Sequence, residues 1–376
     1  MNKPPILLIG EAPGELEARS GFAFVGGSGA ELLKMLGQAG VIHLDNRDQR
    51  LLSLYYSTQK PEHTNAIWER HADAIHRTNV FSQHPPRNDL GWFCGPKSTA
   101  IAGYPQLSSS KWVREEFEPE LDRLADEILN VNPNLVVCLG NTPLWALTGR
   151  TRITKWRGAT QVSTHCVADY KLLPTYHPAA VLYQWSIRPT VIADLIKARR
   201  EAELGPELWR PAREIWIEPT IEDVNAFIQA HIRGCKFLSV DIETSGQRIT
   251  CIGFAPTSEL AIVIPFDDER RKNGSYWESP ELERKCWRLV MGVLQDPTIP
   301  KLFHNGLYDI AFLWRSMRIA VRGAIHDTML LMHSLQPESM NGQEGHKNLG
   351  YVGSVYANEC AWKNLGAHSK TIKRED

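Results

Sequence analysis

The chain has 376 residues, with 42 Lys and Arg against 43 Asp and Glu and a formal net charge of −1. That length suggests two domains, each able to bury its own core, and the charge balance excludes nucleic-acid binding driven by bulk positive charge. Seven scattered cysteines (Cys94, Cys138, Cys166, Cys235, Cys251, Cys286 and Cys360) form no C-x-x-C, which argues against a disulfide framework or a structural zinc site.

The N-terminus lacks a signal-peptide pattern and no apolar run is long enough to span a bilayer, so a cytosolic protein without a membrane partner is expected. Ile6-Leu7-Leu8-Ile9 reads as a buried strand, followed by Gly10-Glu11-Ala12-Pro13-Gly14. The segment GFAFVGGSG at 21–29 and a helical run from Ala30 to Gly37 come next. Strand, glycine-rich turn and helix place backbone N–H groups around an anion, a pattern many α/β proteins share. Residues 41–75 are long and polar and have no assignment. Further on stand Thr78-Asn79-Val80-Phe81, Pro85-Pro86-Arg87-Asn88, and the buried-strand pattern Leu135–Leu139 ending at Gly140. Pro174-Thr175-Tyr176-His177-Pro178-Ala179-Ala180-Val181-Leu182 closes the series, with Asp194-Leu195 in the helix beyond.

In that order and spacing, the segments from about Ile6 to Arg200 resemble the iron–sulfur (family 4) uracil-DNA glycosylases. Such an enzyme flips a base out of the duplex, reads its edge and cuts its glycosidic bond. The resemblance implies that Phe24 stacks on the flipped base. It implies that Asn79 reads the uracil edge, its amide offering both a donor and an acceptor. His177 would sit against the departing uracil and stabilise its negative charge. Glu11 and the loop from Gly10 to Gly14 would line the site and help place water. Two departures stand out. The family's four cluster cysteines are missing: the chain starts too close to its first strand for an N-terminal C-x-x-C, Gln83 stands at the third position, and residues 117–129 hold none. No iron–sulfur cluster is expected. Tyr183 also replaces the arginine that follows H-P-A-A-x-L in the family; a tyrosine can wedge into the stack left by a flipped base.

Two basic runs, Arg150, Arg152, Lys155 and Arg157, then Lys197, Arg199 and Arg200, suit either phosphate contact or a solvated surface. Trp156, Tyr183 and Trp185 nearby suit either base stacking or the core. The boundary is expected in the polar, Pro- and Gly-containing stretch 199–213. It divides a glycosylase-like domain (1–205), a linker (206–214) and a second domain (215–376). Thr220-Ile221-Glu222-Asp223 opens a helix with its cap.

Asp241 and Glu243 end the apolar run Phe237–Thr244. Residues i and i+2 of a strand face one side, so two carboxylates converge where a divalent cation takes oxygen ligands. Ile249–Ala255 and Ala261–Phe266 read as two more strands. In FHNGLYDIAFL at 303–313 a third carboxylate, Asp309, opens a helical pattern.

From about Ile215 onward, DIET at 241–244, N-x-x-x-D at 305–309 and HDTMLL at 326–331 resemble the 3′→5′ proofreading exonuclease domain of family A DNA polymerases, in the ribonuclease H-like superfamily. The resemblance implies Asp241, Glu243 and Asp309 as ligands of two Mg²⁺ or Mn²⁺ ions, with Asn305 at the same site. Two such ions stabilise charge on the attacking and leaving oxygens of a phosphodiester. Asp327 is expected to cap the following helix. The family's further Tyr-x-x-x-Asp is missing: Val355 follows Tyr351 at that spacing, and Cys360 follows Tyr356. Three explanations stay open: the front piece of a longer polymerase, a site completed by a second chain, or an impaired nuclease.

The expected fold is α/β in two domains, a three-layer glycosylase-like fold with a mostly parallel sheet, then a ribonuclease H-like mixed sheet with helices. The expected protein is of phage DNA polymerase type, acting in the bacterial host cytoplasm on single-stranded 3′ ends and uracil-containing DNA. A separately encoded polymerase subunit is a candidate partner. The alternatives are a non-catalytic scaffold that docks such a polymerase, and a glycosylase whose nuclease half only holds DNA.

Overall fold

The computed structural model describes residues 5–335 and 347–357. They fall into two units: residues up to 209 together with those from 350 onward, and residues 210–349.

The first unit runs β1 (Ile6–Gly10), α1 (Glu15–Ser20), α2 (Gly27–Gln38), α3 (Asn46–Thr58), α4 (Pro61–Arg70), β2 (Ile75–Asn79), β3 (Cys94–Gly95), β4 (Trp112–Val113) and α5 (Glu118–Val131). It continues with β5 (Leu135–Leu139), α6 (Asn141–Thr148), α7 (Ile153–Trp156), β6 (Gln161–Val162), β7 (Lys171–Thr175), α8 (Pro178–Tyr183) and α9 (Arg188–Glu203). The main sheet has the order β2-β1-β5-β7-β6, parallel but for β6. Every residue of β1, β5 and β7 is buried, because helices cover both faces. The period of two splits them: Leu8, Val137 and Leu173 pack with α2 and α9, whereas Leu7, Val136 and Leu172 pack with α5 and α6. This is the expected three-layer α/β arrangement. Its parallel strands end in a row at Gly10, Asn79, Leu139 and Thr175, the edge where open α/β sheets bind ligands. The unassigned segment 41–75 folds into α3 and α4, with Tyr55 and Trp68 buried in the α2 core.

The second unit contains β8 (Glu214–Trp216), α10 (Ile221–Phe227), β9 (Leu238–Ser245), β10 (Arg248–Ala255), β11 (Leu260–Pro265), α11 (Pro280–Gln295), β12 (Lys301–Phe303), α12 (Gly306–Met317), β13 (Ile325–Asp327) and α13 (Thr328–Leu335). The sheet order is β13-β12-β9-β10-β11-β8. β10 runs antiparallel to both neighbours, and β12 and β13 run parallel to β9. Taking β9 to β13 as one to five, the order 5-4-1-2-3 with the second strand reversed is that of the ribonuclease H-like fold. β9 alternates: Leu238, Val240 and Ile242 are buried, and Ser239, Asp241 and Glu243 face outward.

The last described helix, α14 (Leu349–Tyr356), was expected in the second domain, yet from residue 350 it packs in the first unit. Arg157, read from sequence as a phosphate contact or a solvated charge, is neither: it is buried and donates to Asp194 Oδ2 at 2.9 Å and to Ser354 Oγ at 3.0 Å. Lys197 is likewise buried and donates to the carbonyls of Gly158 (2.9 Å) and Ala357 (2.8 Å). Thr190 and Tyr351 share a hydroxyl–hydroxyl bond of 2.8 Å. A buried cation without acceptors is costly, and the C-terminal end of α14 supplies them with a favourable helix dipole. Trp156 is core, while Tyr183 and Trp185 are exposed. Cys360 and the remainder of the expected second domain beyond 357 lie outside the described residues. Among the described residues, no helix is long and apolar enough to cross a membrane.

Candidate functional sites

The first site is built around Gly10. Gly10 and Asn79 are register partners at the ends of β1 and β2. A Cβ on Gly10 would lie 2.3 Å from Asn79 Oδ1 and 2.5 Å from Phe24 Cζ, so the amide and the ring meet over the bare glycine. Phe24 is buried with φ of 56°, and its ring centroid lies 6.3 Å from that of His177, tilted 35°. His177 caps α8: its Nδ1 accepts the Ala179 N–H at 3.2 Å, so the neutral ring carries its proton on Nε2. Burial pushes the His177 pKa down, with Glu11 opposing, and the ring is therefore a neutral donor. Glu11 Oε1 accepts from Thr142 Oγ1 at 3.1 Å. A Cβ on Gly140, whose φ is 103°, would come within 3.0 Å of Glu11 Oε1 and 3.3 Å of His177 Cβ. The structure thus gathers Gly10, Glu11, Phe24, Asn79 and His177 at one edge of the sheet. Gly14 stands just before α1 and donates its N–H to Glu17 at 3.2 Å. Tyr183, at the far end of α8, is 92% exposed.

Glu17 is the residue that the sequence did not reveal. Burial raises its pKa, while hydrogen bonds from the Gly14 and Phe24 backbones, the Arg77 charge and the Asn79 amide oppose that rise. Its carboxylate therefore lies against the Asn79 amide. In the sequence it is one more acid in a helix first turn, indistinguishable from a solvated one.

Gly10→Ala should cost about 1–3 kcal/mol of stability, because the added methyl overlaps both Asn79 and Phe24. A chemical denaturation curve checks this. An alanine protein as stable as wild type would mean that these side chains do not meet over Gly10.

Where the family resemblance implies cluster cysteines, this chain has a polar network. Ser82 donates to Glu120 through its N–H (2.9 Å) and hydroxyl (2.6 Å). Arg123 bonds Glu120 at 3.1 Å and the carbonyls of Asn79 (2.6 Å) and Val80 (2.9 Å). Iron–sulfur clusters need thiolates. Cys138 is buried in β5 with its thiol pushed up, and burial pushes Cys166 up to about 12. The residues here do not fit such a cluster.

The second site lies where β9 and α12 meet. Asp309, in the first turn of α12, is 4% exposed and accepts the Ile242 N–H at 3.1 Å. Burial, with the nearby Asp241 charge adding to it, raises the Asp309 pKa to about 6. Glu243 shares the outward face of β9 with Asp241. Thr244 and Tyr308 join the two elements through their hydroxyls at 2.7 Å. Asn305 is exposed with φ of 64°, and its N–H donates to Asp327 at 3.1 Å. Gly306 also donates to Asp327, at 2.8 Å, and Gly306 packs so tightly that a Cβ would lie 2.5 Å from Phe303 Cβ. Asp327 accepts from Met329 N–H at 2.8 Å and so caps α13. Burial works against its ionisation, but the backbone donors hold its pKa below the usual range.

Among the described residues, no group of three or more His, Cys, Asp or Glu is gathered so as to hold a metal ion. The expected trio is therefore not assembled as one cluster: Asp241 and Asp309 are brought together, while Glu243 shares their face. Two approaching carboxylates, one of them resisting ionisation, repel unless a cation or a proton intervenes. That donor set fits a hard divalent ion.

This charge bears on stability. A folded-state pKa above the unfolded one means that the folded chain holds the proton longer, so stability falls as pH rises from about 4 to about 6 and stays lower above. Asp309→Asn should stabilise the metal-free protein at pH 7.5 by on the order of 1–3 kcal/mol and change little at pH 4. Calorimetric melts at both pH values decide this; destabilisation at pH 7.5 would refute it.

The comparisons with known proteins identify the family of the first half. The model of the uracil DNA glycosylase superfamily matches residues 1–198, more than half of the chain. The chain belongs to that superfamily. It is 29% identical over 205 residues to a type-4 uracil-DNA glycosylase of Sulfurisphaera tokodaii, covering 53% of this chain and 71% of that protein. It is 24% identical over 262 residues to a DNA polymerase of Bacillus phage SP01, covering 62% of this chain and 27% of the polymerase. The chain thus spans about a quarter of that relative. These relatives are proteins of DNA repair and replication. Among solved structures, the EXD2 exonuclease domain soaked in Mg and GMP aligns with a TM-score of 0.25 and 17% identity, covering 35% of this chain and 64% of that one.

Proposed function

We propose that the chain acts on DNA through two separate hydrolytic sites, one excising uracil and one trimming 3′ ends. The observation that carries the first is the convergence of Phe24, Asn79, Glu11 and His177 around Gly10. A flipped uracil would stack on Phe24 and present its edge to the Asn79 amide, held by Glu17. The His177 Nε2–H would donate to the uracil oxygen on which charge develops as the glycosidic bond breaks. Glu11 would hold the attacking water through its carboxylate. Tyr183, fully outside the core, would fill the gap left in the base stack.

The second site rests on Asp241 and Asp309, with Glu243 beside them. They would hold Mg²⁺ or Mn²⁺, which when bound supplies a hydroxide near neutral pH and stabilises the leaving oxygen. Asn305, exposed at the mouth, would contact the DNA end. The likeness to a phage polymerase supports a role in DNA replication in a host cytoplasm, beside a polymerase carried on the same or another chain. A second reading, a scaffold that binds DNA and docks a polymerase without trimming, draws support from the lack, among the described residues, of a cluster of three metal-ligating side chains.

One gel tests both sites. An oligonucleotide with an internal uracil and a 5′ label is incubated with and without chelator. Strand breakage at the uracil position after hot alkali, with chelator present during the incubation, supports excision, since alkali breaks the strand at the abasic site; a ladder of shortened products that chelator abolishes supports trimming. An oligonucleotide that survives intact in Mg²⁺ and Mn²⁺ leaves only the scaffold reading.

A further inference from the structure

We infer that α3 and α4, the segment without a counterpart in the sequence reading, form a clamp that fixes the base-stacking Phe24, with Trp68 and Thr64 as its positioning residues. The inference rests on the reading of Phe24 as the residue that stacks on the flipped base.

Phe24 sits in a loop between α1 and α2 with a left-handed backbone. Such a conformation persists in a non-glycine residue only when its surroundings over-determine it. Loop carbonyls ordinarily face water. Here three consecutive carbonyls are each met by a side chain from α4 or β2. Arg77 Nε donates to Ala23 O at 2.8 Å, Trp68 Nε1 to Phe24 O at 2.9 Å, and Thr64 Oγ1 to Val25 O at 2.7 Å. Trp68 and Thr64 are fully buried. On its other side the Phe24 carbonyl lies where a Cβ of Gly29 would stand, 1.8 Å away.

The donors are themselves held. Arg77 Nη2 donates to Asn65 Oδ1 at 2.6 Å, and the guanidinium lies 5.0 Å over the Trp68 ring. Arg70 at the end of α4 bonds Asp48 (2.8 Å) and Asp45 (2.5 Å) at the start of α3, and His71 lies 3.2 Å from Asp48. With three successive peptide planes pinned, the Phe24 Cα–Cβ bond has one direction, from which the ring reaches over Gly10 and beside Asn79. The clamp therefore sets how well the ring is pre-organised for a base, rather than how tightly the backbone of DNA is held.

The test uses the full chain and three variants, Trp68→Phe, Thr64→Val and Thr64→Ser. Trp68→Phe and Thr64→Val keep bulk and lose a donor; Thr64→Ser keeps the hydroxyl. In hydrogen exchange, amides in residues 21–29 should exchange about tenfold faster in the two donor-loss variants, with the sheet unchanged, and near wild-type rates in Thr64→Ser. Uracil excision should lose about tenfold in kcat with KM for DNA nearly constant. Unchanged exchange at 21–29 in both donor-loss variants overturns the clamp. Faster exchange with undiminished excision overturns its role in catalysis. If wild-type protein leaves uracil untouched, the glycosylase reading falls instead, and exchange alone decides whether the clamp exists. Should Trp68→Phe fail to fold, the contrast between Thr64→Val and Thr64→Ser carries the test.

Discussion

Asp241→Ala should abolish Mg²⁺-dependent shortening of a DNA 3′ end, a loss of more than about a hundredfold. Losing even an outer partner of a metal ligand costs about 10–100-fold in affinity or activity, and Asp241 is a proposed direct ligand. Asp241 is exposed on the outward face of β9, and its charge helps raise the pKa of the buried Asp309, so removing it relieves a carboxylate–carboxylate repulsion. The fold should therefore survive, and the variant should melt no lower than wild type in chelator. The metal response should change as well. Wild type should gain melting temperature on Mg²⁺ addition, and Asp241→Ala should gain little. Undiminished trimming by the alanine protein would move the nuclease to another site or to a contaminant.

His177→Ala should reduce uracil excision about 100- to 1,000-fold, the scale seen when one donor to a developing oxyanion is removed. The ring is desolvated, neutral and fixed by the Ala179 N–H, so the donor is in place before the base arrives. Binding to DNA that already lacks the base should be unaffected, because the lost interaction matters only as charge develops. Trimming of 3′ ends should also be untouched, which separates the two sites within one protein. Excision that persists at the wild-type rate would remove His177 from the chemistry and make the Glu11 and Asn79 side the place to look.

Much of this was legible along the chain. The apolar runs at Ile6–Ile9 and Leu135–Leu139 identified buried parallel strands, since a strand covered on both faces has no polar side to show. The alternation around Asp241 and Glu243 predicted an outward acidic face. The GEAPG segment after Ile6–Ile9 marked a glycine-rich turn between strand and helix, because bare glycines are a local requirement of turns, whereas the HPAA segment was read through the family resemblance and its cap at His177 emerged only in the structure. Asp327 was readable as a cap, since a cap is satisfied by residues two and three positions away.

What the sequence determined, then, was whatever depends on neighbours a few residues apart: strand periodicity, caps, glycine turns and the identity of the chemical groups. Tertiary structure alone decided burial and partnership over long separations. Arg157 and Lys197 look like any surface cations until Asp194 and the end of α14 enclose them. Glu17 looks like a helix-start acid until Asn79 lies against it, and Trp68 like core until its N–H meets Phe24. The elevated pKa of Asp309 needs the Ile242 backbone and Asp241, more than sixty residues away. Desolvation and charge act through space, so no reading along the chain contains them.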